Sequence, residues 1–171
     1  GWRAMEEAVR EGKVRSIGLS NFPVHKIKQI MEVAQIKPAA LQVELNPYWN
    51  QHALKDELAK IGLGDIVYEG WYPFGHGDAK LLSEPLLAKI AAAHGKTIAQ
   101  VILRWMLQEG VVTFPKTTNP QHILDNIDVF DFELSADEMA RINALPQKAY
   151  YDVPEEPPAF VLAHNDYSKQ A

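Results

Sequence analysis

Residues 14–45 read VRSIGLSNFPVHKIKQIMEVAQIKPAALQVEL. The run 14–19 is short and apolar, which suits a strand, and Ser20-Asn21-Phe22-Pro23 behind it is turn chemistry. Ile27, Ile30, Met31 and Ala34 then recur at helical spacing, and 40–45 is a second apolar run closed by Asn46-Pro47. A strand, a helix and a strand in that order imply a parallel pair, because two parallel strands need a helix-sized crossover.

The same rhythm continues outward in both directions. Trp2, Met5, Ala8 and Val9 predict a helix ahead of this unit, with Gly12 as its stop. Behind it come a helix over 53–61 and a strand over 66–71, which opens into the loop Pro73-Phe74-Gly75-His76-Gly77-Asp78. Helices are predicted over 85–94 and from the capping box Thr97-Ile98-Ala99-Gln100 to Glu109, with Gly110 as the stop. A strand over 111–114 follows, then a helix capped by Asn119 and opened by Pro120, and a last helix capped by Ser135 that ends near Leu145. Residues past Pro146 read as a loop or tail. Four strand-helix units predict an α/β chain, either an open doubly wound sheet or a segment of an eight-stranded barrel. No Gly-x-Gly-x-x-Gly turn follows any strand, which disfavours a dinucleotide-binding open sheet.

Composition narrows the function. A chain of 171 residues that is 47% hydrophobic can bury one packed core. It has no cysteine, so disulfides and thiolate metal sites are excluded. The net charge of -5 is spread without a basic run, and nucleic acid is not expected as a partner. No apolar run reaches the ~18 residues of a bilayer span, and no leader pattern is present. A soluble, cytoplasmic protein is the expectation, with no membrane partner. His25, His52, His76, His94 and His164 sit in no recognised metal motif and read as solvated surface residues. The chain opens at Gly1 and enters a helical pattern at once, which points to a longer polypeptide.

In either architecture ligands bind beyond the carboxyl ends of the strands. Those ends carry Ser20 and Asn21; Gln42, Glu44 and Asn46; Trp71 and Tyr72; and Lys116, Thr117, Thr118 and Asn119. Turn or cap chemistry could explain any one of these sets, and for Ser20-Asn21 taken alone it does so as well as a binding role. Polar or aromatic residues at all four ends are harder to assign to turns.

The motifs Gly18-Leu19-Ser20-Asn21-Phe22, Gln42-Val43-Glu44-Leu45-Asn46-Pro47-Tyr48, Trp71-Tyr72-Pro73-Phe74-Gly75 and Phe114-Pro115-Lys116-Thr117-Thr118-Asn119-Pro120 resemble, in order and spacing, the aldo-keto reductase family. The loop that runs from Gly70 to Asp78 is similar to bacterial members of its diketogluconate and glyoxal reductase group. The resemblance implies that 1–145 are the last four βα units of a (β/α)8 barrel with its C-terminal helix, and that 146–171 are the C-terminal loop or tail. It implies NAD(P)H-dependent reduction of a small aldehyde or ketone. Ser20, Asn21 and Gln42 would hold the nicotinamide carboxamide, and Trp71, with Tyr72 beside it, would stack on the ring. Lys116, Thr117 and Thr118 would hold the 2'-phosphate of NADP(H) at the helix N-terminus, and Asp125 and Asn126 would contact adenine.

His122 stands where the family usually has an arginine, which leaves NAD(H) use open. Tyr150, Tyr151, Phe160 and Tyr167 could line the substrate pocket or pin the tail. The family's Asp, Tyr, Lys and His tetrad belongs to the first four strands, expected before Gly1, and Tyr48, Tyr68 and Tyr72 match none of it. The chain by itself is therefore expected to carry no catalytic residue and to be inactive. Closing the barrel would take the missing N-terminal half or a second copy. The alternative is a noncatalytic half-barrel that binds a nucleotide or assembles with itself.

Overall fold

The computed structural model describes residues 1–151. Helix α1 (Trp2–Arg10) is pinned through its buried face. Trp2 donates from Nε1 to the Ile36 carbonyl at 3.0 Å, and the Glu6 carboxylate accepts the Gln35 and Ile36 amides at 2.6 and 2.8 Å. The strands β1 (Gly18–Ser20), β2 (Ala40–Glu44), β3 (Val67–Trp71) and β4 (Val111–Thr113) form one parallel sheet in that order. Helices α2 (Val24–Val33) and α3 (His52–Lys60) make the first two crossovers. The third uses two helices, α4 (Pro85–His94) and α5 (Ile98–Gln108), and α6 (Pro120–Ile127) and α7 (Ala136–Asn143) follow β4. No single helix among the described residues is long and apolar enough to cross a membrane.

The predicted element order and the capping boxes at Thr97 and Ser135 are found. The first strand is shorter than its apolar run. Among the described residues it has a partner on one side only, and that pairing starts where the Ala39 amide donates to Ile17 at 2.8 Å, which leaves Val14 exposed.

Parallel register brings the carboxyl ends level: Ser20 lies opposite Gln42, Gln42 opposite Glu69, and Glu44 opposite Trp71. Alternation then sorts the side chains. Leu19, Leu41, Val43, Tyr68 and Val111 are buried in one core with Ile27, Leu58, Leu87, Ile102, Trp105 and Met106 from the helices. At Gly70 a Cβ would overlap the Met106 methyl, the far end of that side chain, and come within 3.2 Å of Leu45 and Val111, so the strand packs closely against α5 here. The other face carries Ser20, Gln42, Glu69 and Trp71, with Val67 and Val112 still 44% and 45% exposed. Parallel sheets normally bury both faces. Here the helices cover one.

Glu109, at the end of α5, ties three helices together. Its carboxylate lies 2.9 Å from His52 Nε2 and 3.2 Å from Lys55 Nζ, and accepts from Asn143 at 2.9 Å. Burial pushes this carboxyl up, but the bonds from Asn143 and His52 and the Lys55 charge outweigh burial and hold it below the usual range. A depressed carboxyl contributes stability that is complete above its unfolded pKa, about 4.3, and lost as pH falls through the folded value. Glu109→Gln should therefore lower the melting temperature at pH 7 and shrink the gap to wild type below about pH 4, read by calorimetry across pH.

Candidate functional site

The site is assembled where β1, β2 and β3 end. The ladder runs one residue past β1, because the Asn21 amide donates to the Gln42 carbonyl at 2.9 Å, and Asn21 then turns in the left-handed region at φ 56°. Asn and Asp tolerate that backbone better than other side chains. Trp71 Nε1 donates to Asn21 Oδ1 at 2.9 Å. An indole N–H can only donate, so this bond fixes the amide orientation and turns Asn21 Nδ2 outward. Gln42 Nε2 donates to Glu69 Oε2 at 2.9 Å. A carboxylate can only accept, so Gln42 Oε1 is the atom left over. Among the described residues neither Asn21 Nδ2 nor Gln42 Oε1 has a hydrogen-bond partner, and the Ser20 side chain is exposed.

Trp71 is half-buried, edge-on to Tyr72 at 4.5 Å and to Tyr151 at 5.5 Å. Tyr72 has φ 55° and its ring lies 4.8 Å from His76. The loop closes with the Gly75 amide on the Tyr72 carbonyl at 3.0 Å and carries Phe74 to a second group of predicted residues. Lys116, Thr117, His122, Asp125 and Asn126 line one cavity of about 210 Å³ with Phe74. Asn119 caps α6 by accepting the Gln121 amide at 2.9 Å, and its own amide donates to Thr117 Oγ1 at 3.1 Å. Asp125 already accepts Gln121 Nε2 at 2.9 Å. Thr118 is exposed and does not line the cavity.

A strap over 146–151 crosses the ends of β2 and β3. Lys148 donates its amide to the Tyr48 carbonyl at 2.6 Å, and Gln147 Nε2 reaches the Pro47 carbonyl at 3.1 Å. The Tyr150 and Tyr151 amides each donate to one oxygen of Glu44 at 2.8 Å, and Glu44 is 3% exposed. The Tyr150 ring lies on Gly75, where a Cβ would come within 2.7 Å, and its hydroxyl donates to Asp78. That bond, then the Lys80 amide, holds the Asp78 carboxyl below its usual range. Tyr151 lines a cavity of about 400 Å³ with Asn21, Phe22, Glu44 and Trp49. Tyr150 and Tyr151 thus both pin the strap, and Tyr151 borders Trp71 as well. Phe160, Tyr167 and His164 lie outside the described residues.

Two histidines differ from expectation. His52 faces Glu109, and His94 Nε2 lies 3.0 Å from Glu138, with 23% of the His94 side chain exposed, so neither is simply solvated. Their partners are 57 and 44 residues away, beyond any spacing rule. No group of three possible metal ligands occurs among the described residues.

The sequence marks Glu69 only as a lone acid in the middle of a short parallel strand, and such strands are mostly apolar. Tyr48 and Tyr68 do not face this site. Tyr68 sits in the helix-side core with its phenol pushed up to about 12 by burial, and Tyr48 donates to Glu84 at 2.6 Å, with burial and then that bond raising its phenol.

The model of the Aldo/keto reductase family matches residues 1–147. The chain is 46% identical over 144 residues to glyoxal reductase of Bacillus subtilis (strain 168), covering 84% of this chain and 50% of that protein. Among solved structures it is similar to MGS-M4, an aldo-keto reductase from a Medee basin deep-sea metagenome library. There the TM-score is 0.83 at 37% identity, over 92% of this chain and 58% of that one. A Gox0644 variant crystallised in complex with NADPH gives 0.81 at 37% identity, over 90% and 55%. The chain spans about half the length of the curated relatives it matches.

Proposed function

The chain belongs to the Aldo/keto reductase family, and from that footing we propose that it supplies the cofactor-binding side of an NAD(P)H-dependent reductase of small aldehydes or ketones. The observation that carries this reading is the Trp71–Asn21 bond beside Gln42 at one end of the sheet. It leaves an amide donor and an amide acceptor unspent next to an aromatic face, which is what a ring bearing a carboxamide requires. The bound nicotinamide would supply hydride. Ser20, Asn21 and Gln42 would orient its carboxamide, Trp71 would cover one ring face, and Tyr72 would back Trp71. Lys116 and Thr117, just ahead of α6, would take the phosphate, with Thr118 beside them outside the cavity and Asp125 and Asn126 near adenine. The solved Gox0644 relative, which binds NADPH, supports the dinucleotide.

The four strands are read as the last half of an eight-stranded barrel, 1–145 with a tail over 146–171, in a cytoplasmic protein. Among the described residues one sheet face is uncovered and the outer edges of β1 and β4 are unpaired, which supports this, since a closed barrel has neither. On this reading the proton-donating groups stand on strands other than these four. Tyr68, turned into the helix-side core, and Tyr48, bonded to Glu84, are not substitutes, and burial makes both phenols weaker acids than usual. The N-terminal half, or a second copy, would then complete the site.

The test uses the protein as its gene encodes it. NADPH should quench Trp71 fluorescence and support turnover of a simple aldehyde; absence of both contradicts the proposal. Binding without turnover would favour the second reading, a noncatalytic nucleotide-binding or self-assembling half-barrel, for which the same bare face argues.

His122 lines the Lys116 cavity but lacks a bidentate fork. His122→Arg is expected to tighten NADPH by about tenfold and NADH hardly at all, measured by fluorescence titration. An equal change for both cofactors would place His122 away from the 2'-phosphate.

A further inference from the structure

Glu69 is a carboxylate on the uncovered face of a parallel strand, half-buried, with no ion pair among the described residues. Such a group is costly unless it accepts hydrogen bonds. Its bond is to Gln42 Nε2, on the register partner in the neighbouring strand. From this we infer that Glu69 is the positioning residue of the carboxamide subsite, and that it sets which end of the Gln42 amide a ligand meets. The inference rests on the nicotinamide reading above and adds a residue and a rule of selectivity to it.

Both amides are held in one orientation by their neighbours. Left alone, a glutamine amide presents either end, and the two ends select opposite ligands. Beside Glu69 the NH2 end is turned to the carboxylate with one of its two protons spent there, so Oε1 is the end of Gln42 turned away from Glu69. Trp71 does the reverse to Asn21: it holds the oxygen toward the indole and turns the NH2 end away. The pair therefore complements a primary carboxamide, with its C=O toward Asn21 and its NH2 toward Gln42. It opposes a ligand of the same shape whose NH2 is replaced by CH3, because Gln42 Oε1 would then face a methyl group with no proton to accept. Discrimination of this kind comes from a site polar atom left unpaired.

The experiment compares NADP+ with its 3-acetylpyridine analogue, in which CH3 replaces the amide NH2, in the protein as its gene encodes it. Dissociation constants from tryptophan quenching are measured for wild type, Glu69→Gln and Gln42→Leu. Wild type should prefer NADP+ by about tenfold or more. In Glu69→Gln the new amide can either donate or accept, so Gln42 is free to turn, and the preference should narrow to about two- to threefold. Gln42→Leu should remove it. A merely structural defect would weaken both ligands in proportion and leave their ratio at the wild-type value.

An unchanged ratio in Glu69→Gln, with Gln42→Leu abolishing it, overturns the role of Glu69 and spares the nicotinamide site. No binding to wild type, or a ratio indifferent to Gln42→Leu, removes that site and the role of Glu69 with it.

Discussion

Trp71→Ala is expected to weaken NADPH binding by about ten- to a hundredfold, the loss of roughly 1–3 kcal/mol that stacking a ring on an aromatic side chain contributes. Two effects act in the same direction. The flat face is removed, and Asn21 loses the indole donor that fixes its amide. Trp71→Phe separates them, because phenylalanine keeps a face and lacks the N–H. It should recover part of the affinity and leave Asn21 free to rotate. Isothermal titration of both variants is the measurement. Wild-type affinity in Trp71→Ala would mean that the indole does not cover the nicotinamide.

Glu44→Gln should release the strap. A carboxylate satisfies two amide donors with two oxygens, here those of Tyr150 and Tyr151, and Asn46 Nδ2 approaches at 3.3 Å. Glutamine offers one oxygen and turns an NH2 toward the other backbone N–H, so one buried donor is orphaned. Losing a charge-assisted bond in a site 3% exposed costs about 2–3 kcal/mol. If opening is fast relative to cleavage, trypsin should cut after Lys148 about thirtyfold faster or more than in wild type. Since Tyr151 borders Trp71, a rise in substrate KM larger than the change in NADPH affinity should accompany it. Unaltered cleavage would show that the strap is held by other contacts.

Much of this was legible in the sequence because local chemistry agreed with the fold. Turn residues such as Ser20-Asn21 and Asn119-Pro120, capping boxes at Thr97 and Ser135, and short apolar runs each mark an element boundary. Parallel register then forces the ends of β1, β2 and β3 level, so Ser20, Gln42 and Trp71 were placed together once the order was known. What stayed hidden depends on tertiary distance. Nothing near Glu44 in the chain announces that it binds amides 106 and 107 residues away. The partners of His52 and His94 come from other helices for the same reason. Glu69 looks like a surface charge until its neighbour across the sheet is identified as Gln42.

The proposal that a dinucleotide lies extended from Trp71 to Lys116 is tested most directly by a crystal structure, with NADP+, of the protein as its gene encodes it. The ring should lie against Trp71, its carboxamide on Asn21 and Gln42, and the 2'-phosphate beside Lys116 and His122. A dinucleotide bound elsewhere, or reversed so that adenine meets Trp71, would contradict the site described.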